Sequence, residues 1–174
     1  MTCTADDSLF RFVDISGVRC MNESEAGSCR NCIKPFANKQ DAEPHVTSFP
    51  GDPELVLFVP FTEVVRIRSF ALVGNVSLVH LFVNRDDVDF SSQSPDVHLL
   101  EDLDAQHAAD YPLRGSVSSV TIVAREVFSG DASRISFLGF KGSGTGINYR
   151  DQAIAVYESR AQLKPCPNSN LNCT

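Results

Sequence analysis

Apolar residues along this chain fall into short runs with a period of two, not into long stripes with a period near 3.6. "ELVLFVPF", residues 54 to 61, is apolar on both parities, with Leu55, Leu57 and Val59 on one side and Val56 and Phe58 on the other. A strand covered on both faces reads this way. Pro60 withholds a ladder donor, so the strand should end or bulge there. "EVVRIRSFALVG", 63 to 74, first alternates, Val65 and Ile67 against Arg66 and Arg68, and then runs apolar until Gly74. "VSLVHLFVN" repeats the design, and the short "GNV" link between the two runs predicts a hairpin. "SVSSVTIVARE" sets Val120 and Ile122 against Thr121 and Val123, "SRISFLGFKG" follows an "SGD" turn, and "DQAIAVYES", 151 to 159, is the last predicted strand. Ahead of them, "SLFRFVDISGVRCM" predicts an amphipathic turn on Leu9, Phe12 and Val13 and then a strand around Val18 and Cys20. Ser24 to Asn38 reads as a polar loop.

One stretch alone, "LEDLDAQHAAD", 100 to 110, is a helix candidate, and it suffices for two turns at most. Strands following one another without helices between them predict an all-β fold, an antiparallel sandwich or jelly roll. Phe58, Phe61, Phe82, Phe137 and Phe140 are assigned to its core, because rings on the strands of a sandwich supply most of the buried apolar area. The chain divides into a leader over 1–7, one domain over 8–162, and a proline- and asparagine-rich tail over 163–174 that is expected to fray. With 174 residues the domain can remove roughly 70% of its unfolded surface from water, enough to fold without staples.

Charge narrows the partners. The net charge of −7 argues against a surface that tracks phosphates, since nucleic-acid binding draws on clustered Lys and Arg. No stretch approaches the ~18 apolar residues of a membrane span, and "MTCTADDSLF" has neither a basic n-region nor a continuous apolar h-region. The expected compartment is therefore the cytosol, or also the nucleus, where the six cysteines are thiols rather than disulfides. On that expectation the glycosylation-like triplets at Asn22, Asn75 and Asn172 are coincidental.

The chemical candidates are few. "CRNC" offers Cys29 and Cys32 as two zinc ligands, but no second matching pair follows. A redox pair would need Cys29 at a helix N-terminus, and Pro35 falls inside any helix starting there. Both thiols are read as residents of a loop, and no cofactor is expected. No nucleophile elbow or zinc-protease helix is present, and His80 within "LVHLFV" reads as a core or sheet-face histidine. "GSGTG", 142 to 146, departs from both the dinucleotide and the nucleotide-loop patterns and reads as a flexible connection. "NRDDVDF" and "LLEDLDAQ" lack the glycine and terminal glutamate of a calcium loop and read as solvated acidic segments. The chain is expected not to be an enzyme.

Five segments, taken in order over about residues 8 to 160, resemble the PITH family. They are "GVRCMNESEAGSCRNCIKPF", "DPELVLFVPFTEVVRIRSFALVG", "LFVNRDDVDF", "VSSVTIVARE" and "DASRISFLGFKGSG". The end of the domain is similar to the stand-alone PITH domain-containing proteins, and no W-C-x-x-C motif of a fused thioredoxin domain is present. The resemblance implies a jelly-roll sandwich of the galactose-binding-like kind, without catalysis, that associates with the 26S proteasome. It also singles out partner-binding candidates: Asn22, Glu23 and Ser24 after the first strand, Asp52 and Glu54 in a thinned acidic lead-in, and Asp131 and Arg134 in the last signature. Asn22, Glu23 and Ser24 are alternatively the closers of an Asx-type turn. Arg134 is either a strand-face arginine paired with Asp131 or Glu126, or an interface anchor. The competing function is a small-ligand or carbohydrate-binding sandwich, for which a chain without tryptophan is poorly equipped.

Overall fold

The computed structural model describes residues 7–100 and 116–148. Those residues form seven strands, β1 (Arg19–Met21), β2 (Val46–Thr47), β3 (Leu55–Gly74), β4 (Val76–Val83), β5 (Val97–Leu100), β6 (Val117–Val127) and β7 (Arg134–Asn148), of which the apolar runs do not predict the short β2 and β5. Every strand pair is antiparallel, in the order β2-β7-β3-β6-β4-β5 with β1 on β3. Among the described residues, helical structure is confined to short 3-10 turns, including Phe10–Phe12, Ile15–Gly17, Ser28–Cys32 and Phe36–Asn38. The fold is the expected all-β sandwich. Of the helix candidate at 100–110, Leu100 ends β5 and the remainder lies outside the described residues, as do the strand at 151–159 and the tail at 163–174.

β3 is what joins the two layers. Its first part, Leu55 to Pro60, pairs with β6, and its second part pairs with β7 as far as Gly74. The predicted strands "ELVLFVPF" and "EVVRIRSFALVG" are thus one strand, broken at Pro60 only by a bulge. Phe61–Val64 of β3 stand opposite Ser118 alone, between the pairs Pro60↔Ser119 and Val65↔Val117. A missing N–H costs a ladder bond, and local looping of the longer strand absorbs the loss. The inner faces of both layers share one core, in which Leu55, Leu57, Val59, Ile67, Phe70, Leu72, Ile122 and Phe140 are buried.

The hairpin predicted at "GNV" does not form, because β3 and β4 are not neighbours. Gly74 and Asn75 carry the chain from one layer to the other, alongside the loop that carries it from β6 back to β7. Asn75 binds the two crossings together. Its amide donates to Arg134 O at 3.1 Å and its carbonyl accepts from Phe128 N at 3.0 Å. Its Nδ2 donates to the carbonyls of Ser129 and Ala132, each at 2.9 Å, and its Oδ1 accepts from Arg134 N at 2.7 Å. Gly74 fits because a Cβ there would stand 2.3 Å from the Arg134 carbonyl oxygen.

"GSGTG" is also not a flexible connection. It lies within β7, where Gly142 and Gly144 pair with Ile67 and Val65 of β3. A Cβ on Gly142 would come within 1.9 Å of the Arg66 carbonyl oxygen, so glycine is what lets the two backbones lie this close.

The outer face of the β1-β3-β6-β4 layer is covered as the two-sided run at 54–61 predicts. Val56, Phe82 and Val123 are buried there beneath Val88, with Phe90 packed against them. The cover is the segment that follows β4, "NRDDVDF", so this acidic stretch is a lid with an apolar underside rather than a wholly solvated loop.

Candidate functional site

Six of the seven proposed partner-binding residues lie on three loops tied together at one end of the sandwich. Asn22 follows β1 with a left-handed φ of 71°, and its Nδ2 donates to Glu54 O at 2.7 Å and Asp52 O at 3.5 Å. Asn22 O accepts from Phe49 N at 3.3 Å, and Gly51 N donates to Asp131 O at 3.1 Å. Ser48 N donates to Ser133 O at 2.9 Å, Ser133 N donates to Ser48 Oγ at 2.9 Å, and Ser133 Oγ donates to Pro53 O. The 22–28, 48–54 and 128–133 loops therefore hold one another in place. Arg134, the seventh residue, starts β7 beside Thr47.

Most of these side chains are occupied within the chain. Glu23 accepts from Gly27 N at 2.8 Å, Cys29 N at 2.9 Å and Ser28 Oγ at 3.3 Å, so it caps the Ser28–Cys32 turn. Ser24 is exposed, and its amide donates to Thr47 O at 2.8 Å. Asp52 closes an Asx turn on Glu54 N at 3.2 Å. Glu54 accepts from Arg125 at 3.1 Å, and Arg125 also reaches His80 Nδ1 at 3.2 Å, placing His80 on a sheet face as expected. Asp131 is exposed. Arg134 does not pair with Asp131 or Glu126. It reaches across to β2's approach, donating to Glu43 at 2.7 Å beside His45 at 3.3 Å. The antiparallel pairing with Thr47 puts those two residues within reach of its guanidinium, whereas Asp131 is held in the loop by Gly51.

Two residues that sequence reasoning passed over stand out on the same loops. Phe49 and Phe128 are each 51% exposed. Phe49 lies between Ser48 and Gly51, both bonded to the 131–133 segment, and Phe128 opens that loop. The signal was there: each ring stands beside turn residues, "SFPGDP" and "FSGD", where no alternating partner can draw it into a core.

The triplets at Asn22 and Asn75 commit to the fold the very Nδ2 that a glycan would occupy. Asn172 lies outside the described residues.

Cys29 and Cys32 are core residues, not loop thiols, at 1% and 0% exposure. Their 3-10 turn packs inward because its polar ends are satisfied, by Glu23 at the start and by Ile33 N donating to Arg30 O at 3.2 Å at its close. Burial pushes the Cys29 thiol from 9.0 up to about 11, with the Glu23 charge adding to the rise. Burial likewise raises Cys32 to about 12, and lifts Cys20 as well. A nucleophilic thiol needs its pKa lowered, not raised. Among the described residues, no three His, Cys, Asp or Glu side chains are grouped to hold a metal ion. Among those residues, too, no helix is long and apolar enough to cross a membrane.

This architecture is that of the galactose-binding-like sandwiches. It is similar to a carbohydrate-binding module, CBM32-3, from a family 31 glycoside hydrolase of Clostridium perfringens, at a TM-score of 0.52 and 14% identity over 76% of this chain and 96% of that one. The galactose-bound family 32 module of NanJ from the same organism matches at 0.51 and 12% identity over 77% and 97%. At such identities the likeness concerns the fold. The chain itself belongs to the PITH domain family, whose pattern matches residues 1–161. A PITH domain-containing protein of Caenorhabditis elegans is 31% identical over 168 residues, 90% of this chain and 80% of its own length. One of Drosophila melanogaster is 28% identical over 165 residues, 88% and 78% of the two chains. Human PITH domain-containing protein 1 is 25% identical over 164 residues, 88% and 77%.

Proposed function

We propose that this chain is a non-catalytic protein-interaction module whose partner surface is the loop end carrying Phe49, Phe128 and Arg134. The observation that carries the reading is the pair of half-exposed phenylalanine rings on loops fastened to each other. Rings held on a rigid frame with charged residues at their rim are what an interface anchor requires, since little ordering entropy remains to be lost on binding. The raised thiols and the structural duties of Glu23 and Glu54 support the absence of catalysis. The family resemblance makes the 26S proteasome the first partner to test.

The test is retention of purified 26S proteasome on the immobilised chain, with a Phe49→Ala/Phe128→Ala variant in parallel. Retention by the native chain that weakens about tenfold or more in the variant is the expected outcome. Equal retention by both would move the surface elsewhere. No retention by either, joined by binding to galactose or N-acetylgalactosamine, would favour a carbohydrate-binding module, like the Clostridium modules solved in complex with those sugars.

A further inference from the structure

The lid over the outer face leaves part of that face open, and the bulge at Pro60 deepens the opening. Side chains alternate along β6, so Ser119, Thr121 and Val123 face outward, opposite Pro60, Phe58 and Val56 of β3. Arg19 and Met21 of β1 continue the same face beside Phe58 and Val56. Where the lid does not reach, two adjoining hollows of about 230 and 260 Å³ share Phe58 and Asp86 in their walls. Phe58 was expected in the core. It is instead half-buried and forms the partition between the hollows.

The first hollow is walled by Phe58, Pro60, Phe61, Asn84, Asp86, Ser118 and Ser119. Most of its polar groups are already engaged. Asn84 Oδ1 accepts from Ser118 N at 2.7 Å and Ser118 Oγ at 3.0 Å, and its Nδ2 donates to Ser116 O at 2.8 Å. Two groups are not engaged. Ser119 is 8% exposed, and among the described residues its hydroxyl makes no hydrogen bond. Its oxygen is not sealed off, so it can take a partner from the hollow.

The other is the Asp86 carboxylate. The lid carries three acids, and two are satisfied locally: Asp87 by Arg85 at 3.3 Å, Asp89 by Ser91 and Ser92 at 2.7 and 3.1 Å. Asp86 gives only its backbone carbonyl to Arg19, at 3.4 Å, and its carboxylate has no partner among the described residues. The Arg19 guanidinium lies over the Phe58 ring, 4.3 Å from its centroid, and lines the second hollow, not the first. Among the described residues, the first hollow therefore offers one acidic side chain, one uncommitted hydroxyl, the Phe58 ring and Pro60, and no Lys or Arg among them lines it.

We infer that this hollow receives a lysine or arginine side chain of a partner polypeptide, the cation on Asp86, a donor on Ser119, and the methylene stem against Phe58 and Pro60. Apolar walls favour its stem while the charged head meets the carboxylate. The chain's net charge of −7 draws basic partners toward it. The site shares with the proposed function only the premise of a polypeptide partner, since neither Phe49 nor Phe128 lines it.

The experiment is titration of the ¹⁵N-labelled full chain with acetyl-Gly-Lys-Gly-amide, its arginine counterpart and its norleucine counterpart, following the amides of Asn84, Asp86, Ser118 and Ser119. Saturable shifts with lysine or arginine and none with norleucine are expected. Asp86→Asn should weaken that binding about tenfold or more at unchanged Tm, and Ser119→Ala should weaken it less. Equal shifts from norleucine, undiminished binding by Asp86→Asn, or no saturation would each overturn the assignment. So would shifts of these amides by galactose with all three peptides silent. Failure here leaves the proteasome test on the loop end intact.

Discussion

Cys29 and Cys32 owe their inertness to the fold around them, and pH exposes that dependence. Each thiol has a higher pKa in the folded chain than in the unfolded one, so the native state keeps protons that the unfolded state loses. Unfolding then releases protons, and stability falls as pH rises. The contribution is complete below pH 9.0, and is lost progressively as pH passes through about 11 for Cys29 and about 12 for Cys32. Urea midpoints measured from pH 7 upward should hold steady to about pH 9 and then fall, with alkylation of native thiols by iodoacetamide staying slow until they do. A variant with both cysteines replaced by alanine or valine should lose part of that alkaline limb, the part that remains belonging to the likewise raised Cys20. At the same scale, the hydrogen-bonding of the loop by Asn22 and Glu23 was legible from polar residues at a strand end, but the Asx turn read there does not form: Asn22 Nδ2 reaches the carbonyls of Asp52 and Glu54 instead, and Ser24 N goes to Thr47 O. The partner of Arg134 was not legible, since Glu43 is 91 positions away in the chain and only the β2–β7 pairing brings it near.

Asn75 does for the elements what no single strand can. Two crossings between the layers pass side by side, and this residue bonds to four positions of the neighbouring one. Asn75→Ala removes three side-chain hydrogen bonds and strands backbone groups of the 129–134 segment, at an expected cost of about 2 kcal/mol. Chemical denaturation measures this directly. A loss under about 0.5 kcal/mol, as for ordinary surface substitutions, would mean that water replaces the bonds and that the crossings hold without them. Strand positions were readable from period two, and so was the bulge at Pro60, because both are local. The false hairpin at "GNV" came from the same locality: a short link permits a hairpin but does not choose between pairing the two strands and sending them to opposite layers. The glycines of β7 show the matching limit, since a loop glycine and one that admits a neighbouring backbone are identical in sequence.

At the scale of the whole molecule, a main core that includes the buried thiols and a smaller cluster under the lid account for folding in the described residues. Removing metal should therefore change nothing: adding EDTA is expected to leave Tm within about 1 °C of its starting value, where a structural zinc site would lose several kcal/mol. A large drop would locate a metal site that includes residues outside 7–100 and 116–148. The two candidate surfaces lie on distinct parts of this frame, a loop end with exposed rings and a lidded sheet face with an acidic hollow.

By itself the sequence determined that the chain is an all-β sandwich of the PITH family, because strand periodicity and ordered motif segments are properties of short stretches. The tertiary structure decided which residues are free to bind. Exposure of Phe49 and Phe128, the engagement of Glu23 and Glu54, and the unpaired hydroxyl of Ser119 each depend on a neighbour supplied by a distant strand or loop. Long-range pairing fixes such neighbours, and no local pattern encodes them.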